Sequence, residues 1–450
     1  MKSRTLIAGI ILLVSALRSY GQTTLTLQDA IKYALANSET IKKAQLDIEN
    51  GLNVVKETRA GAKPQISAVS SVTLNPLVQQ FVLPGEAFGG EPGTFIAIKA
   101  GQPWNAMTTL QVNQQIYNQQ LFTGLKATQR SAEFYDLLKE VSEENVMQQV
   151  AVNYYQVLVN QHKVGLLDDN LDRLNKLQGI LQGLFDNGLG KKIDVDRVKV
   201  NKVNLETQKM QLLNAIDMQK NLLKYSMGMP VSEEIRLPDE DIQKLEALTS
   251  ALIIAPEVDV ENIIGVRVLR KQDQLLALNR DAKRAEFYPT ASIAGQYIQS
   301  TQSNTFNLYT KNALNFKMAN ISLNVNIPIF DGGAKKSRVD QAKVEILKNQ
   351  EEISTTTKAL RMAYDNARIQ MQNSIEAIQN QRANLELAKE VYDNINSNFN
   401  LGLVSLTDLL NAESELTSTQ NAYNDALLQF KVSEIELIKA KGEIRTLAAQ

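Results

Sequence analysis

Two periodicities alternate along the chain. From Ala319, the positions Ala319, Ile321, Leu323, Val325, Ile327 and Ile329 are aliphatic, while Asn320, Ser322, Asn324, Asn326 and Pro328 stand between them. A period of two predicts a strand with one greasy and one amide-rich face. Leu110, Val112 and Ile116 repeat this against Gln111, Asn113 and Gln115, with Gln114 a polar intrusion on the greasy side. Ile66, Ala68, Val72 and Leu74 follow the pattern more weakly, and Ala291, Ile293, Gly295 and Tyr297 form a fourth, less clean run. These runs predict strands at about 64–76, 105–118, 289–300 and 319–331. The stretches 75–104 and 300–317, rich in Gly, Pro, Asn and Thr, are expected to be hairpin loops.

The second periodicity is helical. After Gly332 and Gly333, neither proline nor glycine occurs until Gly402, and Ala342, Ile346, Ile353, Leu360, Ala363, Ala367, Met371, Ile378, Leu385, Tyr392, Ile395 and Phe399 recur at steps of three, four and seven. This is the seam of a coiled coil. A helix of about 67 residues at 1.5 Å per residue is a rod of roughly 100 Å. The stretch 119–185 is predicted to be a second such helix, loosened by Gly124, Gly165, Gly179 and Gly183.

These elements occur twice. FDNGLGKKIDVDRVK from Phe185 aligns without a gap on FNLGLVSLTDLLNAE from Phe399, so that Gly188, Leu189 and Asp194 map onto Gly402, Leu403 and Asp408, and Gly228 maps onto Gly442. Each half reads helix, strand, loop, strand, very long helix, tight turn, return helix. The first half covers 22–228, with a tip at 185–191 and a return helix at 191–228; the second covers 261–450, with a tip at 399–405 and a return helix at 405–442. A linker at 229–260 joins them. Gly188 and Gly402 allow positive φ where a helix must stop, and Asp194 and Asp408 suit the first turn of the helix that follows.

Composition narrows the partners. The balance of 48 Lys+Arg against 49 Asp+Glu leaves no basic face for a nucleic acid. One histidine and no cysteine exclude a transition-metal site built on imidazole or thiolate, and no disulfide framework is available. Neither GxSxG, a Walker A loop, HExxH nor GxGxxG is present, so no catalytic residue and no cofactor is assigned. At the start, Lys2 and Arg4 precede an apolar run from Leu6 to Leu17, with Ser19 and Gly21 ahead of Gln22, which predicts a secretory signal over 1–21.

Four amphipathic strands cannot close a barrel alone, since single-chain membrane barrels begin at eight. Three copies would pool twelve strands, with the amide-rich face on the lumen and the aliphatic face on lipid. LTLQDAIKYALANS from Leu25, IPIFDGG from Ile327, the duplicated order and the G-L-x-x-x-x-D tips resemble the TolC family of outer-membrane efflux channels. The resemblance covers the chain from about Leu25 to Leu447. It implies a mainly α fold with a membrane β-barrel: a homotrimer with a 12-stranded β-barrel in the outer membrane and an α-helical barrel tunnel reaching into the periplasm. It also implies a role in tripartite efflux or type I secretion, with an adaptor (membrane fusion protein) and an inner-membrane pump as partners.

The tips are the candidate site. Gly188, Leu189, Gly402, Leu403 and Val404 place apolar side chains on exposed turns, which suits adaptor contact. In a trimer, Asp194 and Asp408 would put up to six carboxylates near one aperture, a candidate periplasmic gate, although helix capping suits both positions equally. The tips depart from the family pattern at Lys191 and Lys192 and at Asn411. A soluble periplasmic coiled-coil scaffold or pump adaptor is the alternative, and it gives no role to the four strands.

Overall fold

The computed structural model describes residues 24–238, 258–307 and 313–448. The predicted signal segment and the middle of the 229–260 linker lie outside the described residues. The chain divides into two compact units.

One unit, Glu49–Phe134 with Lys271–Gln350, is built on antiparallel strands. These are β1 (Gln65–Leu74), β2 (Gln80–Pro84), β3 (Phe95–Lys99), β4 (Trp104–Tyr117), β5 (Thr290–Ser303) and β6 (Leu314–Asn326). The main sheet runs β1-β4-β5-β6, so β4 and β5 join the two halves of the repeat, and β1 and β6 are its edges. The alternating side chains fix the register, because slipping one residue would turn every side chain to the other face. Ile66, Val112, Gly295 and Ile321 lie in one row, Ala68, Leu110, Tyr297 and Ala319 in the next, all on one face. Gln114 falls on this face too, and its amide donates to the backbone carbonyls of Ala62 and Gln115 at 3.0 and 2.7 Å. The polar intrusion thus ties down the turn that enters β1.

The structure corrects the strand pattern in three ways. The segment 327–331 is not strand: β6 begins at Leu314 and stops at Asn326, whose partner Thr290 is the first residue of β5, and Pro328 could not extend the ladder. The 75–104 segment is not a simple loop but contains the β2–β3 hairpin, paired from Gln80↔Lys99 to Pro84↔Phe95. Finally, on β5 and β6 the greasy and polar faces exchange character partway along. Beyond Ala319 and Tyr297 the face that carried Ile321 presents Lys317 with Gln299 and Asn315 with Thr301, while Met318, Ile298, Phe316 and Leu314 occupy the opposite face; β1 and β4 keep Val72, Ala106, Leu74 and Trp104 on the original face.

The other unit, Met1–Ile48 with Tyr135–Arg270 and Glu351–Gln450, is helical over most of its described residues. The chain's helices are α1 (Leu27–Asn37), α2 (Glu39–Ala60), α3 (Gln119–Asp186), α4 (Lys192–Met227), α5 (Ile264–Ala285), α6 (Ala334–Asn400) and α7 (Leu406–Ala440). Thr26 starts α1 by accepting the Asp29 amide, and Ser38 separates α1 from α2. The interior glycines do not interrupt α3, because burial along it outweighs their intrinsic cost of about 1 kcal/mol each. Its residues Val150, Tyr154 and Val157 pack with Leu223 and Met227 of α4, Met371 of α6 and Leu427 of α7 in the largest core cluster. Of the seam expected on α6, Ala342, Ala367, Met371, Ile378 and Tyr392 are buried. Among the described residues no helix is long and apolar enough to cross a membrane.

Candidate docking site at the helical hairpin turns

Both tips stop their long helix in the same way. Leu189 N–H donates to Leu184 O and Gly188 N–H to Phe185 O; Leu403 and Gly402 repeat this onto Asn398 and Phe399. Gly188 has φ 74° and Gly402 φ 75°, the left-handed conformation that a Schellman stop requires and that a Cβ would strain. The same bonds recur at the far ends of the return helices, on Gly228 and Gly442, which accounts for the alignment of those glycines. A Schellman stop is commonly sealed by an apolar contact from the residue after the glycine. Here Leu189 is 80% exposed and Leu403 71% exposed, so both point outward instead.

The aliphatic residues after the two aspartates explain that part of the motif. Val195 is buried among Leu171, Leu174 and Leu406, and Leu409 among Tyr392, Leu416 and Phe399. The aspartates themselves differ. Asp408 closes a capping box: Ser405 Oγ accepts the Asp408 amide at 3.2 Å, and the Asp408 carboxylate accepts the Ser405 amide at 3.1 Å and its hydroxyl at 2.7 Å. The Ser405 side chain, then its backbone N–H, hold the Asp408 carboxyl below its ordinary value. At the first tip the N-cap is Lys191, which makes no side-chain capping bond, so Asp194 has no such box to join. Arg197 Nη1 donates to Thr407 Oγ1 at 2.8 Å and links the two return helices.

Behind the tips lies a polar network with no cue in the sequence. Arg173 on α3 meets Glu413 on α7 at 3.1 Å and stacks over the Tyr392 ring of α6, its guanidinium carbon 5.4 Å from the ring centroid. Asn170 bonds to Arg173 and donates to Thr417 Oγ1 at 2.8 Å. Burial, reinforced by the Glu413 charge, pushes the Tyr392 hydroxyl up to about 12. Arg173 and Glu413 are 240 positions apart and sit in no recognisable motif.

Comparison with known proteins agrees with this arrangement. The family model described as outer membrane efflux protein matches residues 30–228 and 267–443, one segment in each half. The outer membrane efflux protein BepC of Brucella suis is 23% identical over 73% of this chain and 71% of its own. The probable efflux pump outer membrane protein TtgC of Pseudomonas putida is 21% identical over 92% of this chain and 82% of its own. Among solved structures, CusC superposes with a TM-score of 0.70 over 93% of this chain and 92% of its own at 15% identity. VceC of Vibrio cholerae gives 0.67 over 92% and 96% at 16% identity, a likeness of fold. With both halves of the repeat covered by one model, the chain belongs to the outer membrane efflux protein family.

Proposed function

We propose that three copies of this chain assemble into one channel, each giving four strands to a twelve-stranded outer-membrane barrel and its long helices to a tunnel through the periplasm. The chain is the outer-membrane component of an efflux system, a passive conduit with the energy supplied elsewhere. The observation that carries the trimer is the open sheet: among the described residues β1 and β6 have no outer neighbour, while Ile321, Leu323 and Val325 present a bare aliphatic face. Unpaired edges are not tolerated in hydrocarbon, so the edges must meet those of other copies. Val203, Met210 and Leu213 support the same reading, exposed apolar residues on α4 at steps of seven and three. A soluble scaffold would have no use for the bare aliphatic face.

The exposed Leu189 and Leu403, with Gly188, Gly402 and Val404, form the adaptor contact in this reading, and the adaptor couples the channel to an inner-membrane pump. Asp194 and Asp408, brought together three-fold, form an anionic ring that concentrates cations at the periplasmic aperture. Native mass spectrometry in mild detergent tests the assembly: three chains are expected, and a stable monomer would overturn it.

A further inference from the structure

The exchange of faces along the sheet leaves apolar surface where lipid does not reach. On the aliphatic face, Val325, Leu323, Ile321 and Ala319 of β6 are followed by the polar row Lys317, Gln299, Thr108 and Ser70, then by Asn315 and Thr301 of β6 and β5, in a row that Ala106 and Val72 complete on β4 and β1. Ser70 and Thr108 share a hydrogen bond of 3.0 Å there, and Thr301 Oγ1 donates to Asn315 at 2.7 Å, as on a face wetted by water. On β5 and β6 the aliphatic band therefore ends near Ala319 and Tyr297, where an aromatic side chain suits a boundary, while β1 and β4 carry it further through Val72, Ala106, Leu74 and Trp104. Past Ala319, the opposite face carries Met318, Ile298 and Val69 beside Thr109, then Phe316 and Met107 beside Ser300 and Ser71, then Leu314. Along β5 that opposite face is the less exposed one: Ala294 is buried and Ile298 half-buried, while Ile293, Tyr297 and Gln299 are open.

A second apolar surface lies at the same end. The β2–β3 hairpin is inserted between β1 and β4, and the bonds Asn75 N–H to Pro103 O and Ala100 N–H to Gln79 O continue the ladder into it. Among the described residues its strands pair only with each other. Phe81 stands opposite Ile98, and Val82 opposite Ala97, so successive rows put Phe81 and Ile98 on one side and Val82 on the other. Phe81, Val82 and Phe95 are all exposed. A strand ribbon that is apolar on both sides cannot stand free in water at low cost. Its base is broken by Pro76, by Gly101 at φ 113° and by Pro103, residues that end a regular pleat. Its tip is a compact knob, in which the Glu86 carboxylate accepts the Gly93 N–H at 3.0 Å and Gly85 N–H donates to Thr94 O at 2.7 Å.

We propose that the β2–β3 hairpins of three copies pack against one another and over the inner apolar rows of the sheet, closing the loop end of the barrel with a hydrophobic plug. The proposal rests on the trimeric channel reading above. Each of the two unpartnered surfaces supplies the cover that the other lacks. Two sides are needed on the hairpin because one meets the sheet and the other meets neighbouring hairpins. Such a plug excludes ions by dewetting while cargo driven from the pump end displaces it.

The chain has no native cysteine, so a single thiol reports cleanly. Phe316→Cys, reconstituted as the full chain, is labelled with a bulky charged maleimide. The same protein is then examined with residues 76–102 replaced by a short Gly-Ser turn, and, with the hairpin intact, as Phe81→Asn/Phe95→Asn. Both alterations are expected to speed labelling several-fold and at least double single-channel conductance. Equal rates and equal conductance in preparations that native mass spectrometry shows to be trimeric would overturn the plug. An unaltered protein that is not trimeric would instead overturn the channel reading on which it stands.

Discussion

At the residue scale the two tips use one motif for unequal local chemistry. Asp408 is held ionised by Ser405, whereas the equivalent box cannot form at Lys191. A carboxyl whose folded value is depressed stabilises the fold above its ordinary value of 3.8, and that contribution is lost as the pH falls through the folded value. Asp408→Asn should therefore lower the melting temperature at pH 7, with the difference shrinking as the pH is taken below 3.8, as thermal melts across that range would check. If Asp408 also contributes to an anionic ring, the same variant loses cation selectivity in bilayer recordings. Glu144 has the opposite sign. It is half-buried, desolvation raises its carboxyl above the ordinary 4.5, and the nearby Arg445 only partly offsets this. Its ionisation opposes folding once the pH exceeds 4.5. Glu144→Gln should raise the melting temperature at pH 7.5, with the gain vanishing by pH 4.

At the element scale, a long helix turns back without sealing its own stop. Leu189 and Leu403 occupy the positions that would close a Schellman motif onto its helix, yet both remain exposed. Leu403→Asp should abolish efflux while leaving trimer assembly intact, measured by substrate accumulation in cells and native mass spectrometry of the purified variant. Wild-type efflux in that variant would remove the tips from the adaptor contact. The Arg173–Glu413 pair is the internal counterpart, joining α3 to α7. No period or motif marks it, because its meaning arises only once two distant helices lie side by side.

At the scale of the whole molecule, the channel proposed above puts the aliphatic face on lipid, and on β5 and β6 that face ends at Ala319 and Tyr297. A charge inside the band should cost about 2–4 kcal/mol per copy at mid-membrane, falling toward zero at the boundary. Leu323→Lys should block delivery of folded protein to the outer membrane, and Gln299→Lys, in the row that already carries Lys317, should not. Membrane fractionation with heat-modifiability on gels would check both. Equal behaviour of the two variants would mean that the exchange of faces does not mark the membrane boundary.

Local periodicity and turn chemistry are properties of neighbouring residues, and for that reason the sequence by itself determined the four main strands, the two long helices, the glycine stops at Gly188 and Gly402 and the duplicated order. It also placed Leu189 and Leu403 on turns. What it could not determine depends on partners far along the chain. The true span of β6 followed from where β5 begins, since a strand extends only while it has a neighbour to bond. The β2–β3 hairpin was hidden because its two short apolar runs are flanked and separated by glycine and proline, which locally favour a loop. The exchange of faces on β5 and β6 emerged only when the strand registers were laid side by side. The capping box at Asp408, missing at Lys191, and the Arg173–Glu413–Tyr392 contact were likewise settled by tertiary placement, because hydrogen bonds and ion pairs depend on distances of a few ångströms that spacing along the chain does not encode.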